Sequence, residues 1–161
     1  MSTLPRRAAA WLAGAWCGLV GAVGFVAAPL LFATLPRADA GRVATRLFAV
    51  DAALGLGFGA VLLVLALQDA KRNTAAGGSR FSVEMVLALA ALFSVVAGHY
   101  AIEPMLAAAA HGEGPSFATL HGVASVFFVV KFVAVAVLAW RLGRAPAPGA
   151  EGDATTAAPT S

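Results

Sequence analysis

As a string of apolar and polar positions, the chain resolves into four long apolar runs, at residues 8–35, 43–67, 81–102 and 117–141. Each reaches or exceeds the roughly 20 residues that a helix needs to cross a hydrocarbon layer of about 30 Å. The runs are continuous rather than alternating, which excludes the strands of an outer-membrane barrel, and a segment in lipid has to satisfy its own backbone. The predicted fold class is all-α: an integral membrane four-helix bundle over residues 8–142, between an N-terminal segment, 1–7, and a tail, 143–161.

The punctuation between the runs supports this division. "QDAKRNTAAGGSR" has the Gly, Asn, Ser and charge content of a solvated loop, and "GRAPAPGAEGDATTAAPTS" has almost no large apolar residue and is expected to be disordered. Pro29 removes one backbone donor from the first run and is expected to kink it, while Pro36 marks its exit. Pro104 closes the third run, although Ala107 to Ala110 are able to add a further helical turn. Gly14, Gly18 and Gly21 share a helix face, as do Gly55 and Gly59, which predicts close packing of the first two helices or of two copies in a homo-oligomer.

Composition sharpens the class. With 60% apolar and 12% charged residues there is too little polar surface for a soluble domain, so whatever the chain does happens in a lipid bilayer or at its edges. The net charge of +3 does not point to nucleic acid, because the basic residues lie between the apolar runs instead of forming a stripe. They read as topology signals. Arg6, Arg7, Lys71, Arg72, Arg80, Arg141 and Arg144 fall on one side and Arg37, Arg42 and Arg46 on the other, which places both termini in the cytoplasm. The start "MSTLPRRAAAWLAGAW" has the look of a signal peptide, but the apolar run continues through "PLLFATL", so a retained first span is expected. Cys17, the only cysteine, lies inside it as a small packing residue.

Ionisable residues within apolar runs carry the candidate chemistry, because each needs a partner or a wet cavity. Asp51, His99, Glu103 and His121 all fall in the outer half of an up-and-down bundle. Two imidazoles there suit a metal ion or axial haem ligation, with the carboxylates in support; a proton-responsive transport network and plain interfacial polarity are the alternatives. Lys131, in "FFVVKFVAV", is the deepest charge, and Glu84 is its expected partner in a structural ion pair. His111 belongs to an outer turn. The chain has no nucleophile elbow, no zinc-protease helix and no phosphate loop, so the expectation is a non-enzymatic protein.

Three segments, "GLVGAVGFVAAPLLFATL", "AGRVATRLFAVDAALGLGFGAVLL" and "FATLHGVASVFF", resemble the transmembrane-protein-205-like family, catalogued in bacteria as domain of unknown function 4149. The resemblance implies a four-span protein of the bacterial inner membrane, with Pro29, Phe32, Phe48, Pro104, His121 and Gly122 as family-pattern positions. Similar architectures among copper-resistance membrane domains and haem-handling membrane proteins make copper or haem the cofactors to test for, by analogy of fold alone.

Overall fold

The computed structural model describes residues 3–75 and 81–144, and every regular element among them is helical. The tail expected to be disordered, from residue 145 onward, and the middle of the loop expected after the second span, including Arg80, lie outside the described residues. The first span comprises α1 (Thr3–Gly21), a π-helical segment (Ala22–Ala27) and α2 (Ala28–Thr34). The second is α3 (Arg37–Ala75). The third comprises α4 (Val83–Val95), a second π-helical segment (Val96–Ile102) and α5 (Glu103–Ala110), and the fourth is α6 (Phe117–Gly143). All four are long and apolar enough to cross a membrane.

Helix ends follow local chemistry. Leu35 is extended and Pro36 follows it, and the Pro36 carbonyl accepts from the amides of Asp39 and Ala40, so the chain reverses within two residues. Ser82 and Ser116 cap α4 and α6 by accepting from Met85 N and Thr119 N, satisfying amides that the first turn leaves without partners. The turn before α6 uses Gly112 and Gly114 at φ of 82° and 79°, a region that suits glycine. At the opposite end, Arg6 donates to the carbonyls of Arg141, Leu142 and Arg144 and closes the C-terminus of α6.

The two prolines inside the first and third spans share one local geometry. Pro104 does not stop the third span, which continues through Ala110, and Pro29 lies near the start of α2 with the helix unbroken around it. Each is preceded by a π-helical segment that ends two residues before it. Proline lacks an amide donor and its ring displaces the carbonyl four residues back; the wider π turn absorbs that displacement and lets the helix run on. The apolar runs also understate α3, which begins at Arg37 rather than at residue 43 and ends at Ala75 rather than at residue 67. Hydropathy marks the part suited to lipid, whereas helix formation continues into charged and alanine-rich ends.

The spans form a ring in which α1 packs on α6 and α3, and α4 packs on α6 and α3. The second and fourth spans are therefore diagonal, with no backbone contact between α3 and α6. Small residues line the interior, among them Ala9, Ala13, Ala52, Ala88, Ala91 and Ala134, around the fully buried Trp16. Large apolar side chains such as Trp11, Phe25, Leu30, Phe93 and Trp140 point outward. This inverts the pattern of a water-soluble protein and suits helices that approach one another closely with lipid outside.

The glycines divide. A Cβ on Gly55 or Gly59 would press on Trp16 of α1, and one on Gly59 would also overlap Leu92 of α4, so these two positions admit the indole. Gly21 faces Phe132 of α6 at 3.3 Å from an added Cβ. Gly14 and Gly18 have nothing within 4 Å, so they do not form the expected contact with the second helix. Gly24, which the sequence pattern passed over, is the tighter site, because any side chain there would overlap the Phe128 ring.

Candidate functional site

The centre of the bundle is polar at one point. Lys131 Nζ donates to Asp51 Oδ2 at 2.5 Å, with Asp51 1% and Lys131 6% exposed. The two side chains span the diagonal between α3 and α6, which explains the long flexible lysine: its stem covers a distance that no backbone contact bridges. The ammonium also lies 4.9 Å from the centroid of the Phe128 ring, a cation–π contact strengthened by the burial of Lys131. Phe25 of the first span and Phe48 of α3 meet the same ring edge-on.

This corrects the expected Lys131–Glu84 pair. Glu84 accepts from Arg141 at 3.0 Å near the end of the bundle that carries both described termini. Glu84 is one residue into α4 and Lys131 twelve residues from the end of α6, which puts them about 16 Å apart along the axis at 1.5 Å per residue. Asp51 and Lys131, by contrast, each lie fourteen residues past the first residue of their helices, both of which start at the same end. Counting Asp51 from residue 43 instead of Arg37 hides this match. Opposite charges at equal depth were the signal that identifies the pair.

The other candidate ligands do not converge. Asp51 is taken by Lys131, His99 pairs through Nδ1 with Glu103 one turn along the same span, and exposed His121 stacks on Phe117 with rings 7° from parallel. Among the described residues no three of His, Cys, Asp and Glu come together as a metal site. The proposed set of His121, His99, Glu103 and Asp51 is therefore not assembled among the described residues: Asp51 pairs with Lys131, His99 and Glu103 pair with each other, and His121 joins neither. His111 is exposed in the turn between α5 and α6, and Cys17 is half-buried in α1.

Two buried polar atoms beside the pair lack a hydrogen-bond partner among the described residues, Asp51 Oδ1 and Trp16 Nε1. The indole lies along α3 with its ring edge at Gly59 and its nitrogen at Gly55, one turn from Asp51. The sequence pattern treated Trp16 only as an apolar residue. A tryptophan whose apolar body is wholly interior also brings its N–H there, and that was the available cue.

The chain belongs to the family described as domain of unknown function (DUF4149), whose pattern matches residues 11–114. The match covers the first three spans and stops short of α6, so Asp51 lies within it and Lys131, His121 and Gly122 beyond it. No curated protein and no solved structure matches the chain.

Proposed function

We propose that this DUF4149 member is a small non-enzymatic membrane protein with a structural or assembly role, of the transmembrane-protein-205-like type. It would lie in a bacterial inner membrane with both termini cytoplasmic, as the distribution of Lys and Arg favours. One observation carries the structural reading: the two most deeply buried charges, Asp51 and Lys131, face each other and not a cleft. A buried pair closed in this way fixes which helices lie opposite, the registry role for which buried ionic groups are best attested.

The outward glycines support assembly. Gly14 and Gly18 lie on the exposed face of α1 with exposed Ala22 one further turn along, and small residues facing lipid let a second helix approach to backbone distance. The partner is a second copy of the chain. The test is the oligomeric state in bilayers of the wild type, G14L/G18L and G57L, the last replacing an exposed glycine of the second span with equal room around it. Wild type and G57L should associate and G14L/G18L should not; association that survives G14L/G18L removes the assembly reading. An absorption spectrum and metal analysis of the purified protein test the structural part, and a haem band or stoichiometric copper would replace it with a cofactor role.

A further inference from the structure

The three arginines at the start of α3 oppose the charge distribution of the rest of the chain. Arg37, Arg42 and Arg46 lie at the end of the bundle away from the described termini, within the first three turns of α3, and Arg37, in the first turn, meets the positive end of the helix dipole. Arg42 and Arg46 are also four residues apart, a like-charge spacing that weakens a helix. One carboxylate answers them: Asp39 pairs with Arg42, while Arg37 and Arg46 have no ion-pair partner among the described residues. This leaves two exposed cations on the surface of α3 free to meet an anion from elsewhere.

The surface leaves room for one. Residues 37, 41 and 45 form one row along the helix and 38, 42 and 46 the next, and between them runs the shallow groove of a single helix surface, open to the outside. Gly41 leaves its floor bare, with nothing within 4 Å of an added Cβ. The arginines border the groove and Thr45 adds a hydroxyl. Beyond Arg46 the run from Leu47 to Leu67 contains one charge, Asp51, and its length of about 30 Å matches a hydrocarbon core, so the groove begins where headgroups do. The row that carries Arg42 and Arg46 continues into exposed Val50 and Leu54. A cationic surface that leads directly onto an apolar ridge matches a lipid better than a free anion.

We propose that this groove binds the phosphate of an anionic phospholipid headgroup, held by Arg37, Arg42, Arg46 and Thr45 over Gly41, with an acyl chain along Val50 and Leu54. The proposal rests on the membrane reading of the chain. The experiment uses the full chain in nanodiscs of mixed phosphatidylcholine and phosphatidylglycerol, with bound lipid counted by native mass spectrometry. Wild type should retain phosphatidylglycerol preferentially, and R42Q/R46Q should weaken that preference by at least about fivefold. K71Q/R72Q, which removes two exposed charges at the opposite end of the same helix, should leave it unchanged. Equal retention by R42Q/R46Q, or equal loss in K71Q/R72Q, overturns the site. Displacement of phosphatidylglycerol by millimolar inorganic phosphate overturns the lipid assignment in favour of a soluble anion. Flotation with vesicles separates the two readings: a chain that does not float overturns the membrane reading and the site with it, whereas one that floats without lipid preference overturns the site alone.

Discussion

Lys131 and Asp51 meet at 2.5 Å across the diagonal of the bundle, between two helices that share no backbone contact. Attraction between the charges is strong there because little water screens it, and the same lack of water makes either charge expensive alone. The pair constrains the fold by what its absence would leave behind.

Removing one member should therefore be worse than removing both. K131M or D51N alone is expected to destabilise the bundle by about 3 to 5 kcal/mol, and D51L/K131M by less than either single change. Unfolding in mild detergent followed by circular dichroism measures all three. Additive losses would mean that the two charges are not energetically coupled.

The Glu84–Arg141 pair provides the contrast. With side chains 29% and 43% exposed, it is screened by solvent, and E84Q should cost no more than about 1 kcal/mol, diminishing as salt is raised. A loss comparable to that of D51N in the same unfolding assay would contradict this ranking.

Glycines separate by what surrounds them. G24A and G59A force a methyl group into Phe128 and Leu92 and should each cost about 1 to 3 kcal/mol, whereas G57A, with open space around it, should be neutral or slightly stabilising. Melting temperatures in one detergent suffice, and an unperturbed G24A would show that the Phe128 ring moves aside freely.

The π segments should depend on their prolines. P104A restores an amide donor and removes the ring that displaces the carbonyl of Tyr100, so residues 96–102 are expected to tighten toward an α-helix. A structure of the variant reads this directly, and an unchanged π segment would assign its cause to packing instead.

Arg6 ties the first helix to the last carbonyls of α6, and R6Q should fray that end with little effect on the centre. Hydrogen exchange at residues 140–144 should accelerate by roughly tenfold, while amides near Lys131 keep their protection.

The sequence by itself determined the four apolar helices and the presence of charges within them, because length, hydropathy and the cost of an unpaired backbone in lipid act locally along the chain. It also identified Asp51 and Lys131 as residues needing partners. Which partner each took was decided by tertiary structure, since that depends on where α3 begins and on which spans lie diagonally, and neither is written in any single segment. For the same reason Gly14 and Gly18 carry the spacing of a helix contact yet face outward, whereas Gly24, not singled out from the sequence, receives a phenyl ring. Spacing specifies a face of a helix; only the packed bundle decides what that face meets.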